Sequence, residues 1–226
     1  MKKLLVSAIA LMTLASSFAG GNGVGGHDEP VQGGFFLSIP LSFYGGSFMT
    51  PTDVAKSDIP DDSKISMIGY GLEIGNMFQL TDFSSGGDMG LGIRAMWFGF
   101  GVASGSNETT ERSFLNIQLL SPGIYFTKAI GDNAIDTYIN YVPTLAGGGF
   151  TDKETGTTGK ASLAFGSPLE FGVAFRTGVF MAGLEYNFGK VAQGDFDVEG
   201  EEDFEAEDIT TYGRWGHLRL QLGFKF

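Results

Sequence analysis

Residues 217–226 read HLRLQLGFKF. Leu218, Leu220, Leu222, Phe224 and Phe226 alternate there with His217, Arg219, Gln221, Gly223 and Lys225. A period of two places the first set on one face of a β-strand and the second set on the other. Chain ends are usually frayed and polar, yet this apolar stripe runs to the last residue. The fold therefore turns on which solvent meets each face.

The opposite end of the chain bears on that question. Residues 1–19, MKKLLVSAIALMTLASSFA, combine Lys2 and Lys3 with an apolar run over 4–14 and small residues at Ser17 and Ala19. This pattern predicts a secretory signal peptide cleaved after Ala19. Its apolar run is too short to cross a bilayer. Residues 20–32, GGNGVGGHDEPVQ, read as a flexible Gly-rich periplasmic lead-in, and 33–226 as the folded domain. There is no cysteine, which leaves neither a lipoprotein anchor nor a disulfide. The composition, with 36 Gly and 21 Phe against 2 His and 2 Trp, is unlike that of an ordinary soluble domain. After residue 19 no run approaches the ~20 apolar residues of a membrane helix.

Eight strands are expected, at 33–44, 64–80, 88–103, 113–128, 134–148, 160–176, 178–190 and 213–226. The connections 45–63, 104–112, 149–159 and 191–212 are long. Those at 81–87, 129–133 and around Thr177 are short. An even number of strands with this alternation predicts an eight-stranded antiparallel up-and-down transmembrane β-barrel, long loops outside and tight turns in the periplasm. Charge follows the same division. Without residues 1–19 the chain keeps 26 acidic and 12 basic residues, and the four long connections hold 17 of the acidic against 3 of the basic. The acidity thus belongs to one end of the barrel, and it makes nucleic acid a poor partner.

Alternation assigns the faces. Bulky residues such as Ile68, Tyr70, Leu72 and Ile74, or Leu163, Phe165, Phe171, Val173 and Phe175, share one face. Gly, Ser, Ala and isolated charges share the other, which would make a poor water-facing exterior. The bulky face is therefore expected to meet lipid, with the small and polar face turned into a narrow lumen. Girdles are expected from Tyr44, Trp97, Tyr141, Tyr212 and Trp215 at the loop side, and from Phe35, Phe78, Phe126, Phe175 and Phe226 at the turn side. Pro122 is expected to mark a bulge.

Inside so narrow a barrel, charges must pair or face a desolvation penalty of several kcal/mol each. Glu73, Arg94, Glu170, Glu185 and Arg219 all fall near mid-height, with Asn140 level and Gln118 higher. They are expected to form an interior network that leaves one carboxylate for a water, a polar partner or a proton. Such a network can rigidify and plug the barrel, or gate an ion path.

Other motifs carry less. GYGLEIG (69–75) lacks the following helix of a nucleotide loop. Asn107-Glu108-Thr109 is a sequon in form only. His27-Asp28-Glu29 is too small a set for a metal site. His217 has no nucleophile beside it, so no catalysis and no cofactor are expected. In GDFDVEGEEDFEAED (194–208) nine residues are acidic and none is basic. The loop can be a solvated, self-repelling segment. Alternatively Asp195, Asp197, Glu199, Glu201, Glu202 and Asp203 collect Ca²⁺ or Mg²⁺ and bridge to lipopolysaccharide.

With its strands and the terminal LRLQLGFKF, the chain resembles the small outer-membrane barrels of the OmpA/OmpX/OmpW-like superfamily over residues 33–226. The resemblance implies that Leu218, Leu220, Leu222, Phe224 and Phe226 form the signal read by the barrel-assembly machinery. It implies a bacterial outer-membrane location, lipid and lipopolysaccharide as neighbours, and a monomer. No periplasmic domain follows the last strand, so no peptidoglycan anchor is implied. Two functions stand open: a structural or surface-interaction barrel, and a narrow channel or carrier for small or apolar solutes.

Overall fold

The computed structural model describes residues 33–50, 52–58, 64–83, 88–156, 161–196 and 211–226. The expected signal segment, the lead-in with His27, and most of the 194–208 loop lie outside the described residues. Ten strands form: β1 (Gly34–Tyr44), β2 (Met67–Asp82), β3 (Met89–Ser106), β4 (Thr110–Ile130), β5 (Asn133–Tyr141), β6 (Thr144–Asp152), β7 (Ala161–Gly166), β8 (Leu169–Thr177), β9 (Phe180–Phe196) and β10 (Thr211–Lys225). Each is antiparallel to its neighbours, and β10 pairs with both β9 and β1, which closes the sheet on itself.

The ring has eight staves, because β5 with β6 and β7 with β8 are single staves interrupted at proline. Pro143 and Pro168 have no N–H to give the ladder. The register runs on unchanged across the gap, from Asn140↔Glu170 to Thr144↔Gly166. Inside the gap the Val142 N–H donates to the Pro168 carbonyl at 2.9 Å. The fold is thus the expected eight-stranded transmembrane barrel, with two of its staves each split at a proline.

The expected bulge lies elsewhere than at Pro122, which keeps its place opposite Ala95. Trp97 is the extra residue in β3 between the rungs at Ile74 and Gly75. Facing it across the β3–β4 ladder is Leu120, held at φ 49. As a result Trp97 and Phe98, like Leu119 and Leu120, expose consecutive apolar side chains.

One connection is much shorter than the sequence suggests. Residues 104–106 and 111–113 pair as rungs of β3 and β4, leaving a turn at 107–109. The Asn107 side-chain oxygen caps it by accepting the N–H groups of Thr109 at 3.1 Å and Thr110 at 2.8 Å. A polar, Ser- and Gly-rich strand that stands above the membrane lacks the alternation by which strands are recognised. The strands β3, β4 and β9 run 18, 21 and 17 residues, against the roughly 9–11 that a tilted membrane strand needs. At the other end the turns are tight, with Gly131 and Gly178 at φ 61 and 54, a conformation that glycine takes without steric cost.

The exterior is an apolar belt. Tyr70, Leu80, Phe165, Leu184, Leu222 and Phe226 are among many large apolar side chains left open, while Arg94, Glu73, Glu170 and Glu185 are buried. This inversion of a soluble fold is stable only where the outer solvent is hydrocarbon. At the turn side, Phe78, Phe175 and Phe226 face outward as expected, whereas Phe35 is buried near Phe226. The expected loop-side girdle does not form. Tyr44 and Trp215 share the parity of Ser42 and Arg219 and point into the barrel. Trp97 and Tyr141 face out but sit by the mid-height rungs. Of the five, Tyr212 alone is exposed at the loop end.

Candidate functional site

The inward face of the staves builds three layers. The middle one brings together Glu73 of β2, Arg94 of β3, Glu170 of β8, Glu185 of β9 and Arg219 of β10. Arg219 ion-pairs with Glu73, and it reaches Glu170 at 2.7 Å and Glu185 at 3.3 Å. Arg94 reaches Glu170 at 3.2 Å, Glu185 at 3.6 Å and Glu73 at 4.0 Å. Its guanidinium is clamped between two rings, 4.4 Å from the centroid of Phe36 and 4.2 Å from that of Tyr138, an arrangement that favours cations in desolvated sites.

Neutral side chains complete the layer. Asn140 and Asn187 donate to the two oxygens of Glu170 at 2.6 and 3.2 Å. Ser38 and Gln221 donate to Glu73 Oε2 at 3.2 and 3.1 Å, and Gln221 also donates to Ser38 Oγ at 2.9 Å. The Tyr138 hydroxyl lies 2.5 Å from Glu185 Oε1 and 3.1 Å from Gln221 Oε1. Gly172 makes room for it, since a Cβ there would come within 2.2 Å of the Tyr138 ring. Oxygens of Glu73, Glu170 and Glu185 lie within 4.8 Å of one another, a set that could in principle hold a metal ion. The guanidiniums of Arg94 and Arg219 each lie against all three of these carboxylates.

Below, toward the turns, Arg176 pairs with Asp136 through two contacts, one of them Nη2 to Oδ1 at 2.9 Å, and donates to Thr127 at 3.1 Å. Lys225 is buried at the same end. This layer is additional to the network expected from the sequence, although carrying the inward parity of Glu170 and Asn140 to the strand ends reaches both Arg176 and Asp136.

Above the charges, the barrel mouth is filled by apolar and aromatic side chains. His217 stacks on Tyr44 at 4.4 Å, and Phe48 packs 5.0 Å from Trp215 and 5.2 Å from Phe114. Phe48 comes from the first loop, which doubles back into the lumen. Met49, Thr50 and Thr52 pair with the top of β10: Met49 N–H donates to Arg214 O, Arg214 N–H to Thr50 O, and Thr52 N–H to Tyr212 O, at 2.8–2.9 Å. Arg112 donates to the Phe48 carbonyl at 3.1 Å and Gln193 to that of Met49 at 2.9 Å. Met49 turns the chain at φ 61. This strap had no signal in the sequence. Between mouth and charge layer lies a cavity of about 10 Å³, lined by Ser42, Asn116, Gln118, His217 and Arg219 among others. That is room for about one water.

The five apolar residues of the last strand all face outward, and His217, Arg219, Gln221 and Lys225 face inward. Phe226 closes the seam: its N–H donates to Phe35 O at 2.8 Å and its carbonyl accepts from Phe35 N–H at 3.0 Å. Of the acidic loop, Asp195 lies at the end of β9, opposite Ser162. Asp197, Glu199, Glu201, Glu202 and Asp203 lie outside the described residues.

No protein-family model and no curated protein matches the chain. Among solved structures it is similar to neisserial surface protein A, at 12% identity and a TM-score of 0.44, over 85% of this chain and 97% of that one. It is similar to Ail, the attachment invasion locus protein of Yersinia pestis, solved with the heparin analogue sucrose octasulfate (14%, TM-score 0.38, 86% and 99%). A major outer membrane protein of Thermus thermophilus is a third (16%, TM-score 0.40, 86% and 99%). These are likenesses of architecture alone; the barrel assignment stands on the closed ladder and the inverted faces.

Proposed function

We propose that this chain is a closed outer-membrane barrel that acts through its surface and loop end and does not conduct through its lumen. One observation carries the reading: among the described residues the interior is filled at three successive levels. Phe48, Tyr44, Trp215 and His217 fill the mouth, the Glu73–Arg219 layer fills the middle, and Arg176 with Asp136 fills the turn end. Filling of this kind is what an eight-stranded ring permits. Protein reconstituted into planar lipid bilayers gives no unitary current steps on this reading. Regular, saturable steps would replace it with a narrow channel or carrier.

The loop end supplies the surface chemistry. Asp53, Asp58, Glu108, Glu111, Asp152 and Glu154 are all exposed, and the acidic segment 194–208 belongs to the same end. Carboxylates at this density are suited to gathering Ca²⁺ or Mg²⁺ from solution, and through those ions to engaging the anionic headgroups of lipopolysaccharide. The outward stripe Leu218, Leu220, Leu222, Phe224 and Phe226 is, on the same proposal, the signal for the barrel-assembly machinery. Its strand is also the one that must find β1 to close the ring. Residues 1–19 serve export and 20–32 form the lead-in.

A further inference from the structure

The middle layer holds three carboxylates and two guanidiniums, all of them buried. An unbalanced charge in such a place is costly. The geometry points to a proton bound on Glu185, so that this residue is a neutral carboxylic acid that donates to Tyr138, and Tyr138 in turn donates to Gln221.

Three observations converge. The first is the tally: the remaining two carboxylates, Glu73 and Glu170, match Arg94 and Arg219 one for one. The second is the supply of donors. Glu170 accepts from Arg94, Arg219, Asn140 and Asn187, and Glu73 accepts from Arg219, Ser38 and Gln221. Glu185 is poorly served: Oε2 has no hydrogen-bond partner, and it alone of the three has no guanidinium contact shorter than 3.3 Å. Donors on both oxygens favour the ionised form of a buried carboxylate, and their lack favours the acid.

The third observation is hydrogen counting at Tyr138. Its hydroxyl has one hydrogen and two acceptor oxygens, Glu185 Oε1 at 2.5 Å and Gln221 Oε1 at 3.1 Å. Gln221 cannot be turned to relieve this, because its amide nitrogen is required by Ser38 and Glu73, and an amide oxygen in that place would face a carboxylate. If Glu185 brings its own hydrogen, both contacts are satisfied: the acid donates to the phenol oxygen, and the phenol donates to the amide oxygen. The groups facing Glu185 are then all named: Arg94 from β3, Tyr138 from β5, Glu170 from β8, Arg219 and Gln221 from β10, with Glu73 of β2 beyond them. Arg176, Asp136 and Lys225 at the turn end and Arg112 at the mouth belong to the other layers.

The test is infrared spectroscopy of the folded protein in detergent at neutral pH, in H₂O and D₂O. The expected result is a carboxylic-acid C=O band, separate from the amide bands and shifted by deuteration, that disappears in Glu185→Gln. Because Gln is the neutral isostere, that variant keeps heat-modifiable migration and melts within a few degrees of the parent. Glu170→Gln, which removes an ionised partner of both arginines, melts well below it. No acid band, a band that persists in Glu185→Gln, or a Glu185→Gln variant as unstable as Glu170→Gln would each overturn the assignment. The outcome is independent of bilayer conductance.

Discussion

Arg219 ties the strand that closes the ring to the carboxylates of three other staves. It touches all three glutamates of the middle layer and sits on the strand that closes the ring. Removing one partner from a buried ion pair is far more damaging than replacing the whole pair, because the remaining charges stay desolvated; the cost is about 3–5 kcal/mol. Arg219→Ala is expected to lower the temperature at which the compact, unboiled gel band is lost. An unchanged transition would take Arg219 out of the network. The pairing partners were foreseeable from parity and strand position, but the neutral ones were less so. Tyr138, Ser38, Asn187 and Gln221 lie on the inward face by simple alternation, yet nothing in their order in the chain says that they converge on particular carboxylate oxygens.

At the scale of elements, the first loop and the last strand depend on one another. The strap of Met49, Thr50 and Thr52 extends the ladder on β10 beyond the last β1 rung, Tyr44↔His217, and this drives Phe48 among Tyr44, Phe114 and Trp215. Phe48→Ala opens a cavity there, at a cost of about 3–5 kcal/mol. The expected outcome is a red-shifted Trp215 emission with retained heat-modifiable migration. Current stays absent in bilayers, because the charge layer below is intact; current steps in Phe48→Ala alone would make the strap the barrel's only seal. Elements also explain two of the departures from the expected strand list. The staves interrupted at Pro143 and Pro168 stay in register with each other across the break, while the β4 ladder beside them shifts by one residue there. The polar tops of β3 and β4 read as loop because, above the membrane, both faces of a strand are wetted and alternation carries no signal.

At the scale of the whole molecule, charge is sorted along the barrel axis: acidic at the loop end, internally compensated within the bilayer, and apolar around the circumference. Such a distribution makes the two ends of the barrel chemically different. If the acidic segment 194–208 gathers divalent cations, its cleavage by an added protease is slower with Ca²⁺ than with chelator. Identical digestion in both conditions would leave the segment a solvated, self-repelling loop. The absence of conductance, the stability of the ring and the protection of the loop are separable measurements, so each part of the functional reading can fail on its own.

Residue order alone settled the solvent on each face, and from that the barrel. Period-two alternation is local, each strand displays it independently, and eight displays with an even pattern of turns leave few other closed solutions. The mid-height position of Glu73, Arg94, Glu170, Glu185 and Arg219 was legible for the same reason, as a count along each strand. Folding in three dimensions was needed to set what fills the mouth, which aromatics turn inward, where the bulges fall and which donors serve which carboxylate. Those depend on register between strands far apart in the chain, and on a loop whose place is set by the barrel it closes. Phe48 shows the difference: its own segment reads as loop, but pairing of that loop with β10 carries it into the mouth between Phe114 and Trp215, where the ring is too narrow to remain empty.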